Sequence, residues 1–203
     1  ASEGPAWAMV DARYAMPPAV SYRAMMLAME KARACGIGYV GVKHSSHYGA
    51  AGFYANLAAR YDVFGMSMCN VDPCMTGPGS KGRVLGTNPI AYAAPAGEEK
   101  PIFLDIATSA VAATKIYAAK SLGQPIPGNW LVDEDGLPTS DYSQFPAKAV
   151  QVPMAGHKGY GLAVMVEILT AVLTGAAVMS EVSSWVQDVP DPTNEGPAFI
   201  AIH

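Results

Sequence analysis

Apolar and polar positions fall into blocks along this chain, and the period of the pattern changes from block to block. Ala6 to Val10 is a short apolar run between Pro5 and the pair Pro17-Pro18, which predicts an edge strand followed by a loop. Ser21 then stands where a helix cap would, ahead of Met25, Met26, Leu27 and Met29, with Gly36 as the stop signal after Cys35. Gly38 to Val42 reads as a short buried strand, and Phe53 to about Tyr61 as a helix. Phe64 to Asn70 predicts a second strand. Ile90 to Ala94 and Ile102 to Ile106, separated by the polar turn Gly97-Glu98-Glu99-Lys100, predict a hairpin or near neighbours. A helix capped by Thr108 or Ser109 is expected through Lys120. The most apolar block, Gly161 to Val178, places Leu162, Met165, Ile168, Leu169, Val172 and Leu173 all round a helix. That predicts a core or interface helix packed on several sides, with Gly175 as its stop. Ala198 to Ile202 closes the pattern as a strand.

Strands and helices alternate without an internal repeat or a low-complexity linker, so the expected class is α/β with a mixed sheet, in one domain over residues 1–203. Composition agrees: 51% of the residues are hydrophobic and 15% charged, enough apolar surface for one substantial core or two small ones. A net charge of −4 with no cluster of Lys and Arg argues against a nucleic-acid partner. The apolar block carries Glu167 and falls short of the roughly 20 clean apolar residues that a membrane span needs. Cys35, Cys69 and Cys74 lack metal-ligand spacing and leave an odd one, so reduced, mostly buried thiols in a cytoplasmic protein are expected. Asp133-Glu134-Asp135-Gly136 reads as an exposed turn, because the alternating oxygen ligands of a calcium loop are missing; no metal site is expected. The chain opens Ala1-Ser2-Glu3-Gly4-Pro5, with neither an initiator Met nor a signal-peptide pattern, as if it started within a protein.

Chemistry concentrates at two turns. The first, Val42 to Tyr54, holds His44, Ser45, Ser46 and His47 between a strand and a helix. Open α/β sheets place ligands at the carboxyl ends of strands, and imidazole exchanges protons near neutral pH. The same imidazoles could equally serve to hydrogen-bond a crowded turn. The second, Pro153 to Gly161, sets glycines and Lys158 at a helix start, where free N–H groups and the positive dipole end suit a phosphate or pyrophosphate. Its glycines could instead let the helix pack closely. Neither a Walker A motif nor Gly-x-Gly-x-x-Gly is present. Between the two turns, the Gly- and Pro-rich loop Asp72 to Gly82 can bring backbone close to a ligand.

Five motifs run in order along nearly the whole chain: Gly36-Ile37-Gly38 with His44-Ser45-Ser46-His47-Tyr48-Gly49-Ala50-Ala51-Gly52, Asn70-Val71-Asp72-Pro73, Gly86-Thr87-Asn88-Pro89, Asp105-Ile106-Ala107-Thr108-Ser109, and Gly156-His157-Lys158-Gly159-Tyr160-Gly161-Leu162. Together they resemble the malate/L-lactate dehydrogenase family, the nicotinamide-dependent group that includes ureidoglycolate, sulfolactate and piperideine-2-carboxylate oxidoreductases. The resemblance implies a fold that is not a Rossmann fold, and a homodimer holding NAD or NADP in an extended pose near the subunit interface. It implies hydride exchange between that cofactor and a 2-oxo or 2-hydroxy acid, malate- or lactate-like.

By the same resemblance, His47 is the acid/base. Asp72 either orients an imidazole or the substrate, or forms an Asp-Pro turn. Val71 lies against the substrate, while Thr87 and Asn88 belong to the active-site wall or merely to a turn before Pro89. Thr108, Ser109 and Ala110 match a cofactor-contacting helix start, and His157 and Lys158 a second cofactor loop. His44 is read as structural or as a support behind the residues that touch the substrate, and Glu167 as part of a buried polar network or a dimer interface, without chemistry.

The chain departs from the family at both ends. A Ser-His-Gly-x-x-Arg stretch, whose Arg would clamp the substrate carboxylate, is absent, and neither Arg13 nor Arg23 stands in that context. Gly196-Pro197 stands where Gly-His is frequent, and the chain ends at His203, so it resembles a core truncated at both ends. A cofactor-binding or dimerisation core without turnover is therefore the alternative reading. The acid, the choice between NAD and NADP, and the positions of Lys81, Arg83 and Lys115 in space stay open.

Overall fold

A computed structural model describes residues 2–184 and 191–203. Strands β1 (Ser2–Gly4) and β2 (Trp7–Asp11) form a short antiparallel ribbon, helix α1 (Pro17–Cys35) crosses over, and β3 (Ile37–Lys43) returns parallel to β2. After α2 (Ala51–Ala59), β4 (Phe64–Met68), β5 (Ile90–Ala96) and β6 (Glu99–Ile106) follow as antiparallel neighbours. Strands β7 (Leu131–Val132), β8 (Pro138–Thr139) and β9 (Val150–Gln151) make a small separate sheet. The last strand, β10 (Ala198–Ile202), inserts between β3 and β4, antiparallel to both. The main sheet thus runs β1-β2-β3-β10-β4-β5-β6 and is mixed, as the sequence predicts.

One face of that sheet carries α1 and α2 over a core that includes Met25, Met29, Val40, Tyr54 and Phe199, all 2% exposed or less. Tyr54 stacks on Tyr48 with ring centroids 5.1 Å apart, and its hydroxyl donates to the Tyr48 carbonyl. The opposite face packs Met68, Ile90 and Ala198 against Val166 of α4 (His157–Glu167). A smaller cluster, built on Val111, Ile116, Leu131 and Phe145, joins α3 (Ala113–Leu122) to the small sheet.

Several expectations need correction. Residues 7–11 are an inner strand; the edge is β1, whose three residues carry no apolar pattern to betray it. Helix α1 starts at Pro17 rather than after Ser21, because proline at the first position gives up only an N–H that would lack a partner anyway; Ser21 lies buried inside the helix. Nor does α3 start at Thr108 or Ser109. There the backbone bonds sideways, Thr108 N to Thr87 O (2.9 Å), Ala110 N to Val152 O (2.8 Å) and Met154 N to Thr108 O (2.9 Å), and the helix begins only at Ala113.

The apolar block is not buried all round. Helix α4 ends at Glu167 and passes into a π turn, Ile168–Val172, where Tyr39 Oη donates to the Leu169 carbonyl at 2.6 Å. Ala163, Val166, Thr170 and Ala171 face inward, whereas Leu162, Met165, Ile168, Val172 and Leu173 form an exposed apolar stripe. Gly175, at φ 74°, ends the block as expected. Of the three free cysteines, Cys69 is buried and Cys74 half-buried, but Cys35 is exposed at the end of α1.

Candidate functional site

Three chain segments that leave the main sheet converge on one cavity of about 380 Å³. From β3 the chain enters the histidine turn, in which His44 takes φ 52° and Gly49 φ 93° before α2 begins. The first turn of α2 is anchored from across the sheet, where Gly52 N donates to Asp105 Oδ2 at 2.9 Å, a carboxylate at the positive helix end. From β4 comes Cys69 to Asp72, and Glu195 arrives just ahead of β10, its N–H donating to the Ser45 carbonyl at 3.1 Å. The walls bring together His47, Tyr48, Val71, Asp72, Arg83, Thr87, Gln151 and Glu195, with Tyr117 and Phe145 among the apolar remainder.

The cavity therefore gathers four of the five residues expected at the catalytic and substrate sites: His47, Asp72, Val71 and Thr87. Asn88 stands behind them. Fully buried at φ 28°, it accepts from Val71 N (3.2 Å) and donates to the Ala163 carbonyl (3.0 Å) and Glu167 Oε2 (2.8 Å). Its side chain thus fixes the Val71 segment from behind. Glu167 also accepts from Met179 N at 2.7 Å, so it belongs to a buried polar network, one of the two settings expected for it. His44 is outside the cavity, its Nδ1 2.9 Å from Asp11 Oδ1 and its N–H donating to Asn194 Oδ1 at 2.8 Å, a structural setting.

Sequence reasoning missed Arg83, Gln151 and Glu195 on these walls. Arg83 donates to the Pro146 carbonyl and is the one Lys or Arg among the described lining residues. Gln151 donates through Nε2 to the Val111 carbonyl and to Ser109 Oγ (3.4 Å), leaving its buried Oε1 without a partner among the described residues. Glu195 is 1% exposed, and burial, reinforced by the charge of Asp72, pushes its carboxyl up to about 8. Burial likewise raises the Cys69 thiol well above its usual range and the Cys74 thiol to about 12, so both are inert thiols rather than nucleophiles.

A second concavity, of about 370 Å³, lies between the Gly-rich loop and the α4 entry; its lining includes Thr76 to Ser80, Ala110, Gly136, Val152, Pro153, Ala155 and Gly156. Of the expected cofactor residues, Ala110 lines it directly. Thr108 and Ser109 are buried, their hydroxyls turned to the Thr87 carbonyl (2.8 Å) and the Val111 carbonyl (2.8 Å). His157 and Lys158 occupy the exposed first turn of α4, next to Gly156 on the groove wall. The glycines of this turn divide their work. Gly156 adopts φ 61°, whereas Gly159 leaves room for the Met154 and Thr108 carbonyls, which a Cβ would strike. A phosphorylated dinucleotide suits this groove: the start of an eleven-residue helix and an exposed Lys face its phosphates, and in the adjoining cavity the Gln151 amide oxygen, unpartnered among the described residues, can accept from an N–H or O–H of the ligand. Among the described residues no cluster of His, Cys, Asp and Glu could hold a metal ion, and no helix is long and apolar enough to cross a membrane.

Known proteins share both sequence and fold with this chain. Malate dehydrogenase of Pyrococcus abyssi is 42% identical over 180 residues, 85% of this chain and 49% of the relative. Ureidoglycolate dehydrogenase (NAD(+)) of Escherichia coli is 36% identical over 200 residues, 98% of this chain and 56% of the relative. The solved sulfolactate dehydrogenase of Methanocaldococcus jannaschii superposes with a TM-score of 0.90 at 37% identity, covering all of this chain and 58% of that one. The chain thus spans about half the length of the curated relatives it matches. The sequence profile of the malate/L-lactate dehydrogenase family matches residues 1–203 throughout, and with the shared fold this places the chain in that family.

Proposed function

We propose that the protein exchanges hydride between NAD(H) or NADP(H) and a 2-oxo or 2-hydroxy acid, with the 380 Å³ cavity as the reaction chamber. The observation that carries this reading is the convergence of His47, Asp72, Val71, Thr87 and Arg83 on that one cavity. A bound nicotinamide dinucleotide would supply the two-electron exchange. The chain's own residues supply the rest. His47 moves the proton at the substrate's C2 oxygen, donating in reduction and accepting in oxidation. Asp72 shares its wall and orients the imidazole or the substrate, and Thr87 offers a hydroxyl. Arg83 brings to the wall a positive charge that an oxo-acid anion can pair with. The groove at Ala110 and Gly156, with Lys158 beside it, holds the dinucleotide phosphates.

The exposed stripe Leu162, Met165, Ile168, Val172 and Leu173 is the surface on which we place a homodimer contact, and the three free cysteines support our placing the reaction in the cytoplasm. The test is oxidation of NADH and NADPH, followed by absorbance, against a panel of 2-oxo acids. Turnover should fall about 10²–10⁴-fold in His47→Ala. Turnover indifferent to that substitution would remove His47 from the mechanism. A second reading is a cofactor-binding core without turnover, for which the backbone-walled groove and the exposed Lys158 would suffice on their own. Tight cofactor binding with no turnover of any oxo acid would establish it.

A further inference from the structure

Glu195 has no place in the scheme above, yet it is a buried carboxyl on the cavity wall. Its backbone is tied to the histidine turn, Glu195 N donating to the Ser45 carbonyl at 3.1 Å, while Thr193 Oγ1 donates to the same carbonyl at 3.2 Å. The side chain is 1% exposed. Among the described residues its Oε2 has one weak donor, Cys69 Sγ–H at 3.9 Å, and its Oε1 has no hydrogen-bond partner. Among the described residues no ion pair joins it to a cation. Asp72, on the same wall, adds a like charge.

A carboxylate anion in that setting would be buried, uncompensated and repelled, which is far costlier than a neutral acid. The Cys69 thiol has the Asn70 carbonyl at 3.1 Å as its nearer acceptor, so its contact with Oε2 is weak, and Oε1 is the carboxyl oxygen that no group among the described residues pairs with. A buried donor without an acceptor at the edge of a cavity is completed by a ligand oxygen.

We propose that Glu195 is a substrate-recognition group of this cavity, a carboxyl that stands protonated and donates its Oε1–H to the carboxylate or carbonyl oxygen of a bound 2-oxo acid. This deepens, and rests on, the oxo-acid reading of the cavity. It explains how a wall bearing Asp72 and Glu195 still accepts an anion: one of the two carboxyls contributes a hydrogen bond instead of a charge. Affinity for oxo-acid anions therefore falls as Glu195 ionises. Cys69, Cys74, Tyr48 and Tyr117, the other weak acids on the wall, are all pushed upward by burial, and the Arg83 guanidinium keeps its charge. The His47 imidazole faces the same space, so a substitution rather than the pH profile alone must decide.

The experiment has two readouts on the 203-residue chain. Difference infrared spectroscopy of wild type against Glu195→Gln reports the carbonyl stretch of a protonated carboxylic acid. Calorimetric titration with oxalate, an unreactive anion presenting the carboxylate face of an oxo acid, reports recognition at about pH 6 and about pH 9.5 in wild type, Glu195→Gln and Glu195→Leu. The wild type should show the carboxylic-acid band at pH 6 and bind oxalate about tenfold more weakly at the higher pH. Glu195→Gln, which keeps a donor but cannot ionise, should lose the band, bind like the wild type at low pH and lack the Glu195 part of the pH dependence. Glu195→Leu should bind about tenfold more weakly at both. A missing band, or an unaltered pH dependence in Glu195→Gln, overturns the proposal while leaving the oxo-acid reading intact. A band that disappears in Glu195→Gln, with no oxalate binding by any chain, overturns the recognition proposed here together with the oxo-acid reading.

Discussion

The two sides of the cavity are built differently. On one side Tyr48, Cys69 and Glu195 project from the ends of β3, β4 and β10, braced by Tyr54 and Phe199 in the main core. On the other, Tyr117, Phe145 and Gln151 come from α3, an irregular segment and the two-residue strand β9, over a core of six buried side chains. The long-range ladder of the main sheet makes the first side a cooperative unit, whereas the second has few backbone bonds to lose and opens more cheaply. Groups whose charge state must be held sit on the rigid side. The pliable side is mostly apolar and can adjust to a ligand without exposing an ion.

The sharpest way to break that contrast is to remove one aromatic ring from each side. Phe199→Ala, at a position 0% exposed, should cost about 4–5 kcal/mol in denaturant unfolding, near the top of the range for such truncations. Phe145→Ala, 4% exposed in the smaller cluster, should cost about 3 kcal/mol or less. Equal losses would mean that both sides belong to one cooperative unit of equal density.

The next largest effect belongs to Glu195. Its folded-state carboxyl is raised from 4.5 to about 8, so between those values the folded chain keeps a proton that the unfolded chain has released. Stability contributed by this group is thus complete below about pH 4.5 and declines as pH rises through about 8. Chemical denaturation of Glu195→Gln across that interval should show a flatter profile, the difference growing to a few kcal/mol above pH 8. Parallel profiles would show that the carboxyl is not held neutral.

That residue also marks where the sequence stops being legible. The strands β3, β4, β5, β6 and β10 each fall within about three residues of where alternation and turn signals put them, because local periodicity reports a half-buried pleat directly. His47, Val71, Asp72 and Thr87 were reachable through motifs at strand ends. Glu195 reaches Cys69 across 126 positions, by way of the insertion of β10 between β3 and β4, and no local pattern announces such a pairing. Arg83 lies in a loop whose path only the tertiary structure gives. Asn88 shows the converse: its motif suggested a wall residue, but the carboxylate of Glu167, 79 positions away, turns its amide inward. Thr108 and Ser109 carry a strong cap signal that sideways backbone bonds override.

Asn88 supplies a third test, because it couples the rigid side to α4. Asn88→Ala removes two donated bonds and one accepted bond, one of them to the buried Glu167 carboxylate. The expected cost is about 2–3 kcal/mol, with a loss of oxo-acid affinity through the Val71 segment rather than through any contact of its own. Unchanged affinity in a folded variant would show that the Val71 segment is held by its neighbours alone.

The smallest effect should come from Gly156, at the entry to α4, where the contrast between rigid and pliable parts reaches the groove. Its φ of 61° with ψ −123° is a conformation that glycine adopts freely and that an L side chain resists. A Cβ there would meet nothing within 4 Å, so Gly156→Ala tests backbone conformation without a steric clash. The expected cost is about 1–2 kcal/mol in stability. If the helix start holds dinucleotide phosphates, NADH titration should also weaken, because restoring an ordinary φ re-aims the His157 N–H, whereas the Lys158 N–H already donates to the Ala155 carbonyl at 3.4 Å. A variant that loses stability but keeps its NADH affinity would locate the phosphates elsewhere along the groove, leaving Gly156 as a folding residue of α4.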